Sequence, residues 1–155
     1  MVAILHNIRS LHNVGSMFRT ADAAGIEKMY LCGITPTPLD RFGVVRQQVA
    51  KVALGAEKTV AWEAVRSTTA LISKLKKEGY KVLAVEQAKN STPYFKLKTS
   101  NLKQIALIVG AEVKGLSAAI LKKCDKVLEI PMHGKKESLN VAVAFGIVIF
   151  GLLNE

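Results

Sequence analysis

Five consecutive apolar residues, Ile105-Ala106-Leu107-Ile108-Val109, are followed at once by Gly110. A run this short and uninterrupted reads as a strand buried on both faces, the position of a central strand in a parallel sheet. Apolar runs at 1–5, 28–31, 81–85 and 126–130 read as further strands. Between them lie stretches of helical pattern at 14–24, 61–78, 117–122 and 139–153. The 61–78 stretch, amphipathic and stopped by Gly79, reads as one continuous helix. Residues 34–43, with Pro36, Pro38 and Gly43, read as irregular loop, and 90–101, with Ser91-Thr92-Pro93, as turn-rich. The 44–53 stretch is open between the two classes. Strands alternating with helices predict an α/β fold with a mainly parallel sheet flanked by helices. With 155 residues, half of them hydrophobic, and no repeat or linker, one domain over 1–155 is expected.

Lys and Arg outnumber Asp and Glu by 22 to 12, a formal charge of +10. The excess is distributed rather than gathered in a tail, and it points to an anionic partner. Nucleic acid is the first candidate, a membrane surface the second, and simple solubility the plain reading. Cys32 and Cys124 stand alone without CxxC spacing, so neither a zinc site nor a disulfide framework is expected. They read as reduced packing residues of a cytoplasmic protein. The N-terminus, MVAILHNIRS, lacks the pattern of a secretory signal. The apolar 139–153 run is short for a membrane span. Being apolar on nearly every side, it suits a buried helix or a homodimer interface better.

Three strand-to-helix junctions carry polar residues, and ligands of open α/β sheets sit at such junctions. Gly110-Ala111-Glu112-Val113-Lys114-Gly115-Leu116-Ser117 has phosphate-loop spacing, but Leu116 stands where the loop's lysine should be, which disfavours a nucleotide triphosphatase. Gly110 and Gly115 would let backbone approach a ligand closely. The plain reading of Glu112 is a solvated turn residue. Ser138 has the look of a helix N-cap. A hydrolytic pairing of Ser138 with His133, His6 or His12 lacks the G-x-S-x-G elbow. Asn140, in the first turn of an apolar helix, must satisfy its amide, either locally on backbone or on a ligand or neighbouring loop. Arg19 falls within the stripe of Val14, Met17, Phe18 and Ala21, so it is expected to pair with an anion across a helix interface or to reach a cleft.

Taken in order, Asn13-x-Gly15-x-x-x-Arg19-Thr20-Ala21-x-x-x-Gly25, Gly110-x-Glu112-x-x-Gly115-Leu116-Ser117, and Ile130-Pro131-Met132 followed by Ser138-Leu139-Asn140-Val141-x-x-Ala144 resemble the motifs of the TrmH/SpoU branch of the SPOUT superfamily, the RNA ribose 2′-O-methyltransferases. Lys51-Val52-Ala53-Leu54-Gly55-Ala56-Glu57 is similar to that family's linking segment. The resemblance implies a C-terminal trefoil knot, a homodimer with sites near its interface, and tRNA or rRNA as substrate, with no metal and no membrane. It implies S-adenosyl-L-methionine held by the loop after strand 81–85 (Val85, Glu86, Gln87), the loop after strand 105–109 (Val109, Gly110, Gly115), and the segment with Ile130, Met132 and Leu139. Arg19 would be the catalytic arginine, supported by Asn13, Glu112, Ser138 and Asn140. The family's arginine is usually described as a base; an alternative is that Arg19 positions a phosphate while another group takes the proton. Many relatives carry an added RNA-binding domain, and this chain is expected to be the bare catalytic domain. The rival reading is a silent RNA-binding or ribosome-assembly protein of the same fold.

Overall fold

The computed structural model describes residues 1–98 and 102–154, so the end of the turn-rich 90–101 segment lies outside the described residues. The elements are β1 (Val2–His6), α1 (Leu11–Ala23), β2 (Lys28–Cys32), α2 (Gln47–Ala53), α3 (Ala56–Thr59), β3 (Ala61–Val65), α4 (Thr68–Lys77), β4 (Lys81–Val85), β5 (Thr92–Pro93), β6 (Ile105–Val109), α5 (Ala118–Leu121), β7 (Lys126–Glu129) and α6 (Val141–Leu153). The strands form one sheet in the order β3-β2-β1-β6-β4-β7-β5. Every pairing in it is parallel. β6 is buried along its whole length between β1 and β4, as its uninterrupted apolar run predicts.

The two faces of the sheet follow from alternation along each strand. Ala3 and Leu5 of β1, Met29 and Leu31 of β2, and Ile105, Leu107 and Val109 of β6 join a core completed by Val14, Met17 and Phe18 of α1 and Phe145, Val148 and Ile149 of α6. Val2, Ile4, Tyr30, Cys32, Ala106 and Ile108 face the opposite way, onto Leu71, Ile72 and Leu75 of α4 and Ile120 of α5. Cys32 and Cys124 both pack in this second core, and burial pushes each thiol up to about 11.

The helix expected over 61–78 is two elements. Residues 61–65 form β3, an edge strand in register with β2 (Met29↔Trp62, Leu31↔Ala64). Its Ala and Glu residues favour a helix locally, but pairing with β2 overrides that preference. Lys28 Nζ meets Glu63 Oε2 at 2.6 Å across the pair. The true helix start is Ser67, whose hydroxyl accepts from the N–H of Ala70. In the open 44–53 stretch, α2 forms and ends at Leu54, which adopts a left-handed φ of 53°.

Gly15 of the first motif serves helix packing. A Cβ there would lie 2.6 Å from the carbonyl oxygen of Val49, so its absence lets α1 and α2 approach backbone to side.

Candidate active site

The strands end at one edge of the sheet, and three loops meet there. The loop after β6 folds on itself, the N–H of Gly115 donating to Ala111 O at 2.8 Å. Both its glycines are required by that fold. A Cβ on Gly110 would sit 2.5 Å from the carbonyl carbon of Gly115. Gly115 has a φ of 59°, and a Cβ there would strike the carboxylate of Glu86. Glu86, just past β4, uses that carboxylate to join the loops. Oε2 accepts from the N–H of Leu116 at 2.9 Å and Oε1 from that of Gln87 at 3.0 Å. Gln87 Nε2 then donates to Glu137 O at 2.6 Å, drawing in the segment that precedes α6.

Glu112 does sit exposed in a turn, but its carboxylate is not left to solvent alone. Its carboxylate accepts from the N–H groups of Arg9 and Ser10, at 3.1 Å and 3.0 Å, and from Asn13 Nδ2 at 3.1 Å. These donors lie at the N-terminus of α1, where a negative charge is favoured. Burial pushes the Glu112 carboxyl upward; the donors from Ser10, its own backbone, Arg9 and Asn13 together outweigh burial and hold it below the ordinary carboxylate value. Asn13 is 7% exposed and passes the connection on, its Oδ1 accepting from Asn140 Nδ2 at 3.1 Å. Asn140, rather than Ser138, is the N-cap of α6, accepting from Ala142 N and Val143 N. Its amide is thus satisfied both locally and on a neighbouring motif.

Between these loops lies a cleft. Ile130, Met132, Leu139, Val141 and Ala144 supply an apolar wall, and Val85, Glu86, Gln87, Gly110, Glu112, Gly115, Glu129 and Ser138 complete it. The Ser138 hydroxyl makes no hydrogen bond among the described residues, and none of His6, His12 and His133 pairs with it; His6 is held by Thr68 and Asn7. Val109 does not line the cleft: its side chain is in the core. Three carboxylates and no Lys or Arg line the cleft, in a chain of net charge +10.

Arg19 lies elsewhere. It is exposed, off the buried stripe of α1, and among the described residues it has no carboxylate partner. The expected interhelical salt bridge does not form among the described residues, and the recess that Arg19 reaches is not the cleft of the three loops. It lines a separate groove with Leu11, His12, Gln48, Lys51 and Val52. Positions 12 and 19 are two turns apart and share a helix face. Sequence reading missed this groove because α2, which brings Gln48 and Lys51, carries no clear periodic pattern.

Comparison with known proteins places these features in a group. Residues 1–150 match the SpoU rRNA Methylase family. A Staphylococcus haemolyticus protein assigned to the TrmH family of tRNA/rRNA methyltransferases is 34% identical over 149 residues, covering 96% of this chain and 56% of that one. The chain therefore spans about half the length of the curated relatives it matches. Among solved structures, a TrmH/SpoU tRNA modifying enzyme of A. aeolicus superposes with a TM-score of 0.84 at 27% identity, over 99% of this chain and 73% of that one. The AdoMet-bound rRNA methyltransferase of Sinorhizobium meliloti gives 0.88 at 27% identity, over 99% and 55%.

Proposed function

Because this chain belongs to the SpoU rRNA methylase family, we propose that it transfers a methyl group from S-adenosylmethionine to a ribose 2′-hydroxyl of tRNA or rRNA. The observation that carries this reading is the separation of charge between two neighbouring recesses. The cleft has three carboxylates, an apolar wall and no basic side chain. That lining fits an uncharged aromatic base joined to a sulfonium, and it repels a polyanion. The groove beside it holds Arg19, Lys51 and His12, which fits phosphate.

When bound, S-adenosylmethionine supplies a methyl group already activated on sulfur. What remains for the chain is to place the hydroxyl in line with that methyl, so that the oxygen–carbon bond forms as the carbon–sulfur bond breaks and the hydroxyl proton passes to solvent. A guanidinium offers only hydrogen-bond donors, so the part of Arg19 is to hold the phosphate next to the target ribose and to stabilise charge developing on the 2′-oxygen. Ile130, Met132 and Leu139 would wall the adenine of the cofactor. The backbone of 110–115 and the Ser138 hydroxyl lie where they can meet polar edges. Glu86, Glu112, Asn13 and Asn140 act through the loops they join and are positioning residues.

The reading has further parts. The strand order, with β6 between β1 and β4 and the loops after β4, β6 and β7 gathered at one cleft, supports a trefoil knot. The exposed apolar residues of α6, Val143 at 50% and Phe150 at 42%, support a homodimer. With Arg19 outside its own cleft, a second subunit offers a way to bring an arginine and a cleft together. Residues 1–155 act as one catalytic domain in this reading. No helix among the described residues is long and apolar enough to cross a membrane, and a cytoplasmic site of action is part of the proposal.

Methyl transfer to total RNA, followed by mapping of 2′-O-methyl positions, identifies the acceptor. Replacing the mapped nucleotide by its 2′-deoxy form should abolish transfer and weaken RNA binding only modestly, since the phosphates remain. Undiminished transfer to the deoxy form would assign the methyl to a base instead.

A further inference from the structure

The segment between β2 and α2 is a stapled hairpin with an exposed aromatic tip. Asp40 Oδ1 accepts from the N–H of Phe42 at 2.8 Å and from that of Val44 at 2.9 Å. The main chain closes the turn with Asp40 N to Val44 O at 2.8 Å and Gly43 N to Asp40 O at 3.0 Å, and Gly43 takes a φ of 76°. Leu39 and Val45 form an antiparallel bridge, and Arg46 N donates to Pro38 O. All this local bonding holds out a side chain that the core does not use. Phe42 is 75% exposed, with Val44 at 60% beside it. The Arg41 guanidinium lies 4.7 Å from the centre of the Phe42 ring.

The placement of this tip gives it a use. The segment leaves the same sheet edge that carries the cleft, where Ile34 N donates to Asn7 Oδ1 and Ile8 N to Thr35 Oγ1. It runs directly into α2, whose Gln48 and Lys51 line the Arg19 groove. Phe42 is six residues from Gln48, a span of at most about 20 Å. At the base of the hairpin, Arg46 Nε is buried with no hydrogen-bond partner among the described residues. Arg41 and Arg46 of the hairpin thus precede in sequence the Lys51 that lines the groove with Arg19. An exposed ring at the end of such a series suits a base of single-stranded nucleic acid, stacked on the aromatic face while its phosphates follow the cations.

We infer that Phe42, with Arg41, is a stacking platform for an unpaired RNA base a few nucleotides from the one that is methylated. The inference rests on the RNA reading above. It assigns part of the choice of substrate to an exposed hairpin outside the motifs, which selects unpaired over paired RNA at that position.

The test uses a single-stranded oligoribonucleotide carrying 2-aminopurine at successive positions, alongside the same strand in a duplex. Binding of the parent should quench the fluorophore at one or two adjacent positions. Phe42→Ala should lose that quenching and bind the single strand about fivefold to a hundredfold more weakly, with no change for the duplex. Phe42→Trp should retain binding, and Phe42→Leu should behave like Phe42→Ala, because an apolar contact alone does not stack. Equal affinity of the parent and Phe42→Ala for the single strand, or full recovery by Phe42→Leu, overturns the platform. So does loss of a dimer in Phe42→Ala by sedimentation, which would make a second copy of the chain the occupant. Methyl transfer to total RNA by the parent separates the two levels. Transfer without any effect of Phe42 removes the platform alone, whereas no RNA binding or transfer by the parent removes the RNA reading and the platform with it.

Discussion

Asn140 Nδ2 donates to Asn13 Oδ1 at 3.1 Å, joining the helix that ends the structure to the first helix across 127 positions of sequence. Asn13 uses its other amide atom on Glu112, so one buried side chain links all three motif segments. The Asn13→Asp variant loses the donor and sets a carboxylate against Glu112. It should lower stability by about 1–3 kcal/mol in urea unfolding, and cofactor affinity should fall with it, because the loops around the cleft lose their common tie. Unchanged stability would mean that the motif segments hold their places independently.

Acid should loosen the same junction. The Glu112 carboxyl is held below its ordinary value of 4.5 in the folded chain. Its contribution is therefore fully present above that ordinary value and is lost as pH falls through the depressed folded value. Urea melts of the parent and Glu112→Gln should differ at pH 7 and converge on acidification below about pH 4. A gap that stays constant down to pH 3 would show that the charge of Glu112 contributes nothing.

Arg19→Ala is expected to lower methyl transfer about 100-fold or more while leaving thermal unfolding and cofactor binding near those of the parent. The expectation rests on its exposure and on the absence of an ion pair among the described residues. A large drop in melting temperature with unchanged activity per folded molecule would assign it a structural role.

Gly115→Ala forces a left-handed backbone on a residue with a side chain and pushes the Glu86 carboxylate off Leu116 N. The combined cost should be about 2–3 kcal/mol. Isothermal titration with S-adenosylmethionine should show weakened binding even at temperatures where the variant is fully folded. Gly134→Ala, where a Cβ meets nothing within 4 Å, is the matched control.

Both thiols should be slow toward Ellman's reagent at pH 8 in the folded protein, because burial holds each near 11 and little thiolate is present. They should react promptly in denaturant. Fast reaction of the native protein would place Cys124 in a more open environment than the second core.

The central strands were legible in sequence because they are set by burial alone. β4 and β6 occupy the residues their apolar runs mark, 81–85 and 105–109. β3 was not, because Ala61, Glu63 and Ala64 lie exposed at an edge and carry no alternation to read. The one local signal was Arg66-Ser67-Thr68-Thr69, a capping cluster inside what otherwise scans as a single helix. At the candidate site, the members could be named but not their partners. Glu112 and Asn140 are satisfied by groups about 100 residues or more distant in sequence, and nothing local encodes that. The groove around Arg19 was hidden for a similar reason: it depends on where α2 packs, and the 44–53 stretch is open between helix and strand when read alone.

The strand order also sets a timetable for synthesis. β1 pairs with β2 on one side and with β6 on the other, Val2 opposite Lys28 and also opposite Ala106. Its second edge therefore stays open until about 100 further residues have left the ribosome, about 5–20 s at ordinary elongation rates. During that interval an apolar strand offers unpaired backbone to any neighbour, the geometry from which aggregates grow. Fragments cut before β6 should be recovered mainly from inclusion bodies, while chains extended past Val109 should partition to the supernatant.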